Sequence, residues 1–197
     1  MPELADIGQK WLDILEPFSY DYNSNFIASE IEERTGIPKR TVSRYLKKMA
    51  KRGLLRVERK GKNNSYYIDL DQNESKILLK IVENYKSLKY RFNKDLWPLI
   101  DELLDFGGLV LFGSRVKGYS TETSDVDILF LGEKEESVKK IIENHPLKVD
   151  VEYATVEEFK NLLIEGNGLA KEVIKSHVVF DSERFIKLCW GYYKNEL

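Results

Sequence analysis

The chain has one cysteine, Cys189, which excludes an internal disulfide and fits a small apolar side chain inside a helix. A reducing cytoplasm is the simplest setting for such a chain. No apolar run approaches the ~20 residues that a membrane-spanning helix needs, so no membrane partner is expected. The opening segment, MPELADIGQKWLDIL, is acidic and amphipathic and does not read as a signal peptide. Histidine is nearly absent. His145 and His177 lack the spacing of paired metal ligands and are read as structural. No long internal repeat or low-complexity tract breaks the 197 residues, a length with room for one or two domains.

Acid is scarce in one stretch. Residues 38–62 hold Lys39, Arg40, Arg44, Lys47, Lys48, Lys51, Arg52, Arg56, Arg59, Lys60 and Lys62, with Glu58 the single acid. That segment is +10 in a chain of net charge −2, so the remainder carries −12. Such asymmetry points to one module that meets a polyanion and another with a different task.

The basic stretch has readable periodicity. Leu4, Ile7, Trp11, Leu12, Leu15 and Phe18 recur at helical spacing over 3–18. FIASEIEERTG predicts a short helix ended by Gly36, and Pro38 opens PKRTVSRYLKKMAKRG, a helix closed by Gly53. Val42, Tyr45, Leu46 and Met49 form its apolar face. LLRVERKGKNNSYYIDL then alternates on either side of KGKNN and predicts a β-hairpin. Helix, turn, helix and hairpin, over roughly residues 3–70, resemble the winged helix-turn-helix family. The resemblance implies a domain over 1–72 that binds double-stranded DNA. Helix 38–52 would be the recognition helix, offering Arg40, Thr41, Ser43, Arg44 and Lys47 to a major groove. Arg59, Lys60 and Lys62 would grip phosphates from the wing. A protein-contact module with a solvated basic face is the competing reading.

Residues 73–93 read as a helical linker, with Ile77, Leu78, Ile81, Val82, Tyr85, Leu88 and Tyr90 as its apolar positions. That stripe suits packing on either domain or the seam of a homodimer, since winged-helix proteins often bind two half-sites. Asn93 is a candidate boundary and N-cap for a helix over 94–105 that contains Pro98.

The segment LVLFGSRVKGYSTETSDVDILFL, residues 109–131, carries the chemistry. Strands are predicted at 108–112, 126–131 and 147–154, with a short helix at 115–118. Alternation puts Asp125 and Asp127 on one strand face, opposite Val126, Ile128 and Phe130. Two such carboxylates repel unless a cation lies beside them. On LKVDVEYA, Lys148, Asp150 and Glu152 face away from Leu147, Val149 and Val151. If the strands are neighbours, Asp150 joins the pair, with Glu152 as its rival, and hard oxygen donors of this kind suit Mg²⁺.

Gly113-Ser114, ten intervening residues, Asp125-Val126-Asp127 and the later Asp150 together resemble the minimal nucleotidyltransferases of the DNA polymerase beta-like superfamily. The resemblance spans 94–197 and implies a small α/β domain with a mixed sheet, making the whole chain α+β. It implies catalytic and metal-holding roles for Asp125, Asp127 and Asp150, with two Mg²⁺ ions. Gly113 and Ser114 would cradle the triphosphate of ATP or another NTP. Arg115 and Lys117 would neutralise it, although exposed surface basics are an equal alternative.

The expected function is transfer of a nucleoside monophosphate, AMP from ATP, to a hydroxyl. Residues 94–197 hold 20 Asp and Glu against 13 Lys and Arg, which disfavours a long nucleic-acid acceptor and leaves a protein or small molecule. The resemblance adds an antitoxin-like option, adenylylation of a HEPN-domain protein. The alternative is a transcription regulator whose second domain senses nucleotide or metal without turnover.

Overall fold

The computed structural model describes residues 8–117, 124–180 and 183–197. The chain divides into two compact units, Met1–Val82 and Glu83–Leu197. The division falls inside the stretch 73–93 read above as the linker.

In the first unit, α1 (Gln9–Leu15) tightens into a 3₁₀ turn, Glu16–Ser19. Pro17 has no N–H to donate to the helical ladder, so the regular α-helix ends sooner than the pattern to residue 18 suggests. The expected start at residues 3–7 lies outside the described residues. β1 (Asn25–Phe26), α2 (Ala28–Thr35), α3 (Lys39–Lys51), β2 (Leu55–Lys60) and β3 (Asn63–Ile68) follow. Gly36 ends α2 at φ 69°, a left-handed conformation that only glycine adopts cheaply, and returns its N–H to Glu32 O. The chain then turns into α3, whose Val42, Leu46 and Met49 are fully buried with Trp11, Ile14 and Ile31. β2 and β3 form the expected hairpin, with Lys60 opposite Asn63 and Gly61-Lys62 as the turn. β1 adds a third strand, Asn25 opposite Tyr67. At two residues it is too short for alternation to reveal.

α4 (Asn73–Tyr90) leads into α5 (Trp97–Leu104). Between them Asn93 Oδ1 accepts the backbone N–H groups of Asp95 and Leu96, which starts the turn into α5. Pro98 sits in the first turn, where its missing N–H costs nothing. β4 (Gly108–Phe112), α6 (Ser114–Lys117), β5 (Val126–Leu131), α7 (Glu136–Asn144), β6 (Val149–Tyr153), α8 (Val156–Ile164), α9 (Gly168–Lys175), β7 (Val178–Phe180) and α10 (Glu183–Lys194) complete the chain. Gly118 and Ser182, expected at the ends of the short and final helices, lie outside the described residues.

The four-stranded sheet runs β6-β5-β4-β7. β4 is antiparallel to β5 and β7, whereas β5 and β6 are parallel, so the sheet is mixed and the fold is α+β. A parallel pair needs a crossover, and α7 lies in that connection. Leu109, Leu111, Val126, Ile128 and Phe130 from the strands pack with Leu99, Ile100 and Leu103 of α5 in one core. The expected capping box holds α8, with Thr155 Oγ1 accepting from Glu158 N and Glu158 Oε2 from Thr155 N.

β7 lies at a sheet edge, where backbone carbonyls lack a strand partner. Side chains of α4 supply donors. Lys86 Nζ donates to His177 O at 2.8 Å, and Ser87 Oγ donates to Val179 O. Glu83 lies between the ammonium and the imidazole of this buried cluster, 2.8 Å from Lys86 Nζ and 3.2 Å from His177 Nε2. Burial pushes the Glu83 carboxyl up, but Lys86 and His177 outweigh it and hold it below its ordinary value. His177 is thus structural, as its isolation in the sequence suggests, although its acidic partner lies 94 positions away. Glu83→Gln leaves the Lys86 ammonium buried without its counter-charge. We expect it to destabilise the second unit by about 3–5 kcal/mol. Urea unfolding followed by tryptophan fluorescence measures this, and a loss below about 1 kcal/mol would show that the cluster does not carry the edge.

Candidate functional site

The second unit gathers its acidic side chains by register. Asp127 of β5 stands opposite Asp150 of β6, and Phe112 of β4 stands opposite Asp127 on the other side. Paired residues on neighbouring strands project to the same face. Val126 and Ile128 turn into the core, which leaves Asp127 half-buried on the opposite face. Glu152, two residues beyond Asp150, follows it to that face.

The turn after β4 is shaped around Asp127. Gly113 has φ 74°, and a Cβ placed on it would lie 1.9 Å from Asp127 Oδ2. The space that glycine leaves is therefore taken by a carboxylate. The Ser114 backbone N–H at the start of α6 donates to that carboxylate. Phe112, Gly113, Ser114, Lys117, Asp127, Asp150, Glu152, Leu169 and Glu172 line a cleft of about 470 Å³.

Charge in this cleft is unbalanced. Burial first, then Asp150 and Asp125, push the Asp127 carboxyl above its ordinary range, and the Ser114 N–H only partly offsets them. Two cations approach the acids. Lys117 Nζ is 2.5 Å from Glu172 Oε1, and Lys148 Nζ is 2.6 Å from Asp125 Oδ2. Arg115 turns elsewhere: its guanidinium donates to the carbonyls of Ser124 and Asp125 and pins the start of β5.

The structure therefore brings Gly113, Ser114, Lys117, Asp127 and Asp150 to one cleft and leaves Arg115 and Asp125 outside its lining. Glu172 and Leu169, from α9, went unread in the sequence. Nothing in their local pattern marks them, because only the packing of α9 brings them to the sheet. Among the described residues, no three acidic, histidine or cysteine side chains converge closely enough to hold a metal ion. The donor chemistry still fits a divalent cation. Asp127 and Asp150 are adjacent hard-oxygen donors, and a cation would relieve the repulsion that adds to burial in raising Asp127.

In the first unit, Arg40, Arg44 and Lys47 are exposed along α3, while Thr41 and Ser43 are half-buried. Arg44 lies over the Tyr45 ring at 5.4 Å. At the N-terminus of α3, Glu32 Oε1 accepts Lys39 N at 2.8 Å, so a carboxylate of α2 caps the helix. Arg59, Lys60 and Lys62 are exposed at the hairpin tip, and Arg59 Nε donates to Gly61 O. The +10 of this stretch overstates its free charge. Arg56 pairs with Asp69 at 2.7 Å and with Asp71 at 3.5 Å. Arg52 stacks over Trp11 at 5.3 Å.

Both halves match known families. Residues 91–183 match the model described as nucleotidyltransferase domain, and residues 22–62 match that of the MarR family. The chain joins a MarR-type winged helix-turn-helix domain to a nucleotidyltransferase domain. No curated protein matches it as a relative. Among solved structures it is similar to an archaeal chromatin protein, TrmBL2, whose structure is described as showing a novel mode of DNA binding. The identity is 15%, the coverage 80% of this chain and 65% of that one, and the TM-score 0.26. No helix among the described residues is long and apolar enough to cross a membrane.

A raised carboxyl means that ionised Asp127 opposes folding at neutral pH. Asp127→Asn removes that charge at nearly constant shape. It should raise the melting temperature at pH 7 by roughly 1–3 °C. The gain should vanish as pH falls below the ordinary carboxylate range, where the wild-type group is itself neutral in both states. Differential scanning calorimetry across pH checks both signs. Gly113→Ala should instead lower the melting temperature, because the new methyl displaces Asp127 and strains a left-handed backbone.

Proposed function

We propose that the second unit transfers the nucleoside monophosphate of an NTP, AMP from ATP, to a hydroxyl acceptor, and that the first unit binds duplex DNA. The observation that carries the transferase reading is the register of Asp127 opposite Asp150, on the face that the Gly113-Ser114 turn overhangs.

Each residue has a task in this reading. Asp127 and Asp150 hold the divalent cation, with Asp125 as the third carboxylate. Mg²⁺ supplies charge neutralisation at the phosphates and at the leaving oxygen. Lys117 exchanges Glu172 for the triphosphate. The N-terminal amides of α6 approach a phosphate, although the first of them also serves Asp127. Asp150 orients the attacking hydroxyl and draws off its proton. The acceptor oxygen then displaces pyrophosphate in line from the α-phosphorus. Arg115 acts indirectly, holding the backbone from which Asp125 projects. The surplus acid of residues 94–197, together with Glu152 and Glu172 at the cleft, disfavours a polyanionic acceptor. A protein or small molecule fits, and a HEPN-domain protein is the specific partner that the family resemblance supplies.

Incubation with ATP, Mg²⁺ and cell extract tests the reaction. Pyrophosphate release and label transfer are expected from wild type and should fall at least a hundredfold in Asp127→Asn, whose stability is checked in parallel. Tight ATP binding without release would favour a nucleotide sensor. Release unchanged in Asp127→Asn would move the site elsewhere.

DNA binding is read from salt dependence, because neutralising phosphates releases counterions and log affinity then falls linearly with log salt. In the full chain, Lys60→Ala or Lys62→Ala should weaken all sequences alike and flatten the slope by up to about one unit per phosphate contact. Arg44→Ala should also relax sequence preference. Absence of binding to any genomic fragment at low salt would make the winged helix a protein-contact module.

A further inference from the structure

The ion pair between Lys148 and Asp125 has no part in the reaction described above. It lies where the parallel strands begin. Val126 of β5 stands opposite Val149 of β6, and Val126 N donates to Lys148 O at 2.9 Å. The residues preceding each, Asp125 and Lys148, are thereby placed side by side. Lys148 Nζ reaches Asp125 Oδ2 at 2.6 Å. Lys148 is 80% exposed at its side chain and Asp125 39%, so the pair is open to solvent.

Three facts bear on this contact. Asp125 does not line the cleft that Asp127 and Asp150 share. No three acidic side chains among the described residues converge on one cation position. Lys148 also feels Asp150, so the ammonium lies in the field of two of the three carboxylates.

We propose that Lys148 is a built-in competitor of the divalent cation: it neutralises Asp125 and holds this carboxylate away from Asp127 and Asp150 until a metal displaces it. The inference rests on the transferase reading of the cleft and adds a positioning residue to it. Lys148 touches no reacting atom. It sets how readily the three carboxylates assemble. An exposed lysine pair is weak, so the barrier it imposes is modest and reversible. A divalent cation offers Asp125 twice the charge of an ammonium, shared with two further carboxylates, and therefore wins once its concentration suffices. Lys148 then swings into solvent at little cost, since its side chain packs against almost nothing.

Mn²⁺ binding to the nucleotide-free full-length chain, followed by electron paramagnetic resonance of the free ion, tests this without recourse to activity. Lys148→Met should bind Mn²⁺ about two- to fivefold more tightly than wild type, the range set by an exposed pair. Lys148→Arg, which keeps the charge, should stay near wild type. Thermal melts verify that both variants fold, as expected for an exposed side chain. Unchanged or weaker Mn²⁺ binding by Lys148→Met, while Asp127→Asn abolishes binding, would overturn the competition and leave the metal site standing. Equal tightening by Lys148→Arg would overturn it as well, because loss of the lysine shape rather than its charge would be responsible. Absence of Mn²⁺ binding to wild type would remove the metal reading itself, and the competition with it.

Discussion

Crowding of negative charge at Asp127 is the constraint around which the second unit is arranged. A carboxylate placed in a sheet, opposite a second carboxylate and one residue from a buried core, is costly to ionise. The neighbourhood answers in several ways. Gly113 gives up a side chain so that the carboxylate can approach the turn after β4. The first amide of α6 donates to it. Arg115 fixes the backbone at the start of β5 by two hydrogen bonds. Of these only the Ser114 amide draws the Asp127 carboxyl down, and it does so in part, so the carboxyl stays above its ordinary range. A site kept unbalanced in this manner is well suited to a cation, and stability given up there is consistent with a functional rather than a structural origin.

The two buried or half-buried ionic groups of the second unit show opposite solutions to one problem. Around Glu83, an ammonium and an imidazole surround one acid, and the carboxyl is held below its usual value. Those charges are fully enclosed, and they tie the C-terminal half of α4 to the carbonyls of an edge strand. Around Asp127 the balance is reversed, with acids outnumbering the cations that reach them. The first cluster is buried and its members pair with one another. The second is incomplete, and its cations, Lys117 and Lys148, are exposed enough to be exchanged. The function proposed for this unit rests on the incomplete one.

The winged helix distributes charge by the same logic. Some of its cations are used internally: Arg56 on Asp69 and Asp71, and Arg52 over Trp11. Others, Arg40, Arg44 and Lys47 on α3 and Lys60 and Lys62 at the hairpin tip, face solvent. The exposed set falls on α3 and the hairpin tip, the two elements to which the proposed DNA contacts are given. Their separation from the internally paired set is a property of the folded unit. The bare charge of the segment does not show it.

Local pattern was enough for much of this protein. The α2–α3 turn follows from Gly36 and Pro38, the hairpin from alternation around Gly61, and the capping box of α8 from Thr155 and Glu158. Period-two alternation put Asp125 and Asp127 on one face and Asp150 and Glu152 on another, and the choice of Asp125, Asp127 and Asp150 came from the resemblance carried by Gly113-Ser114 and Asp125-Val126-Asp127. Strand order could not be read that way. Whether Asp150 stands opposite Asp127 depends on β6 lying beside β5, and that is set by long-range packing of the crossover. The same holds for β1, too short to carry a period, and for Glu172, which α9 delivers to the cleft from 45 residues beyond Asp127. Gly113 is the clearest division. Its place in the motif marks it in the sequence as a point of close approach. Only the tertiary structure decides that the group approaching it is the Asp127 carboxylate, because a left-handed turn and a register across two strands must coincide to put them there.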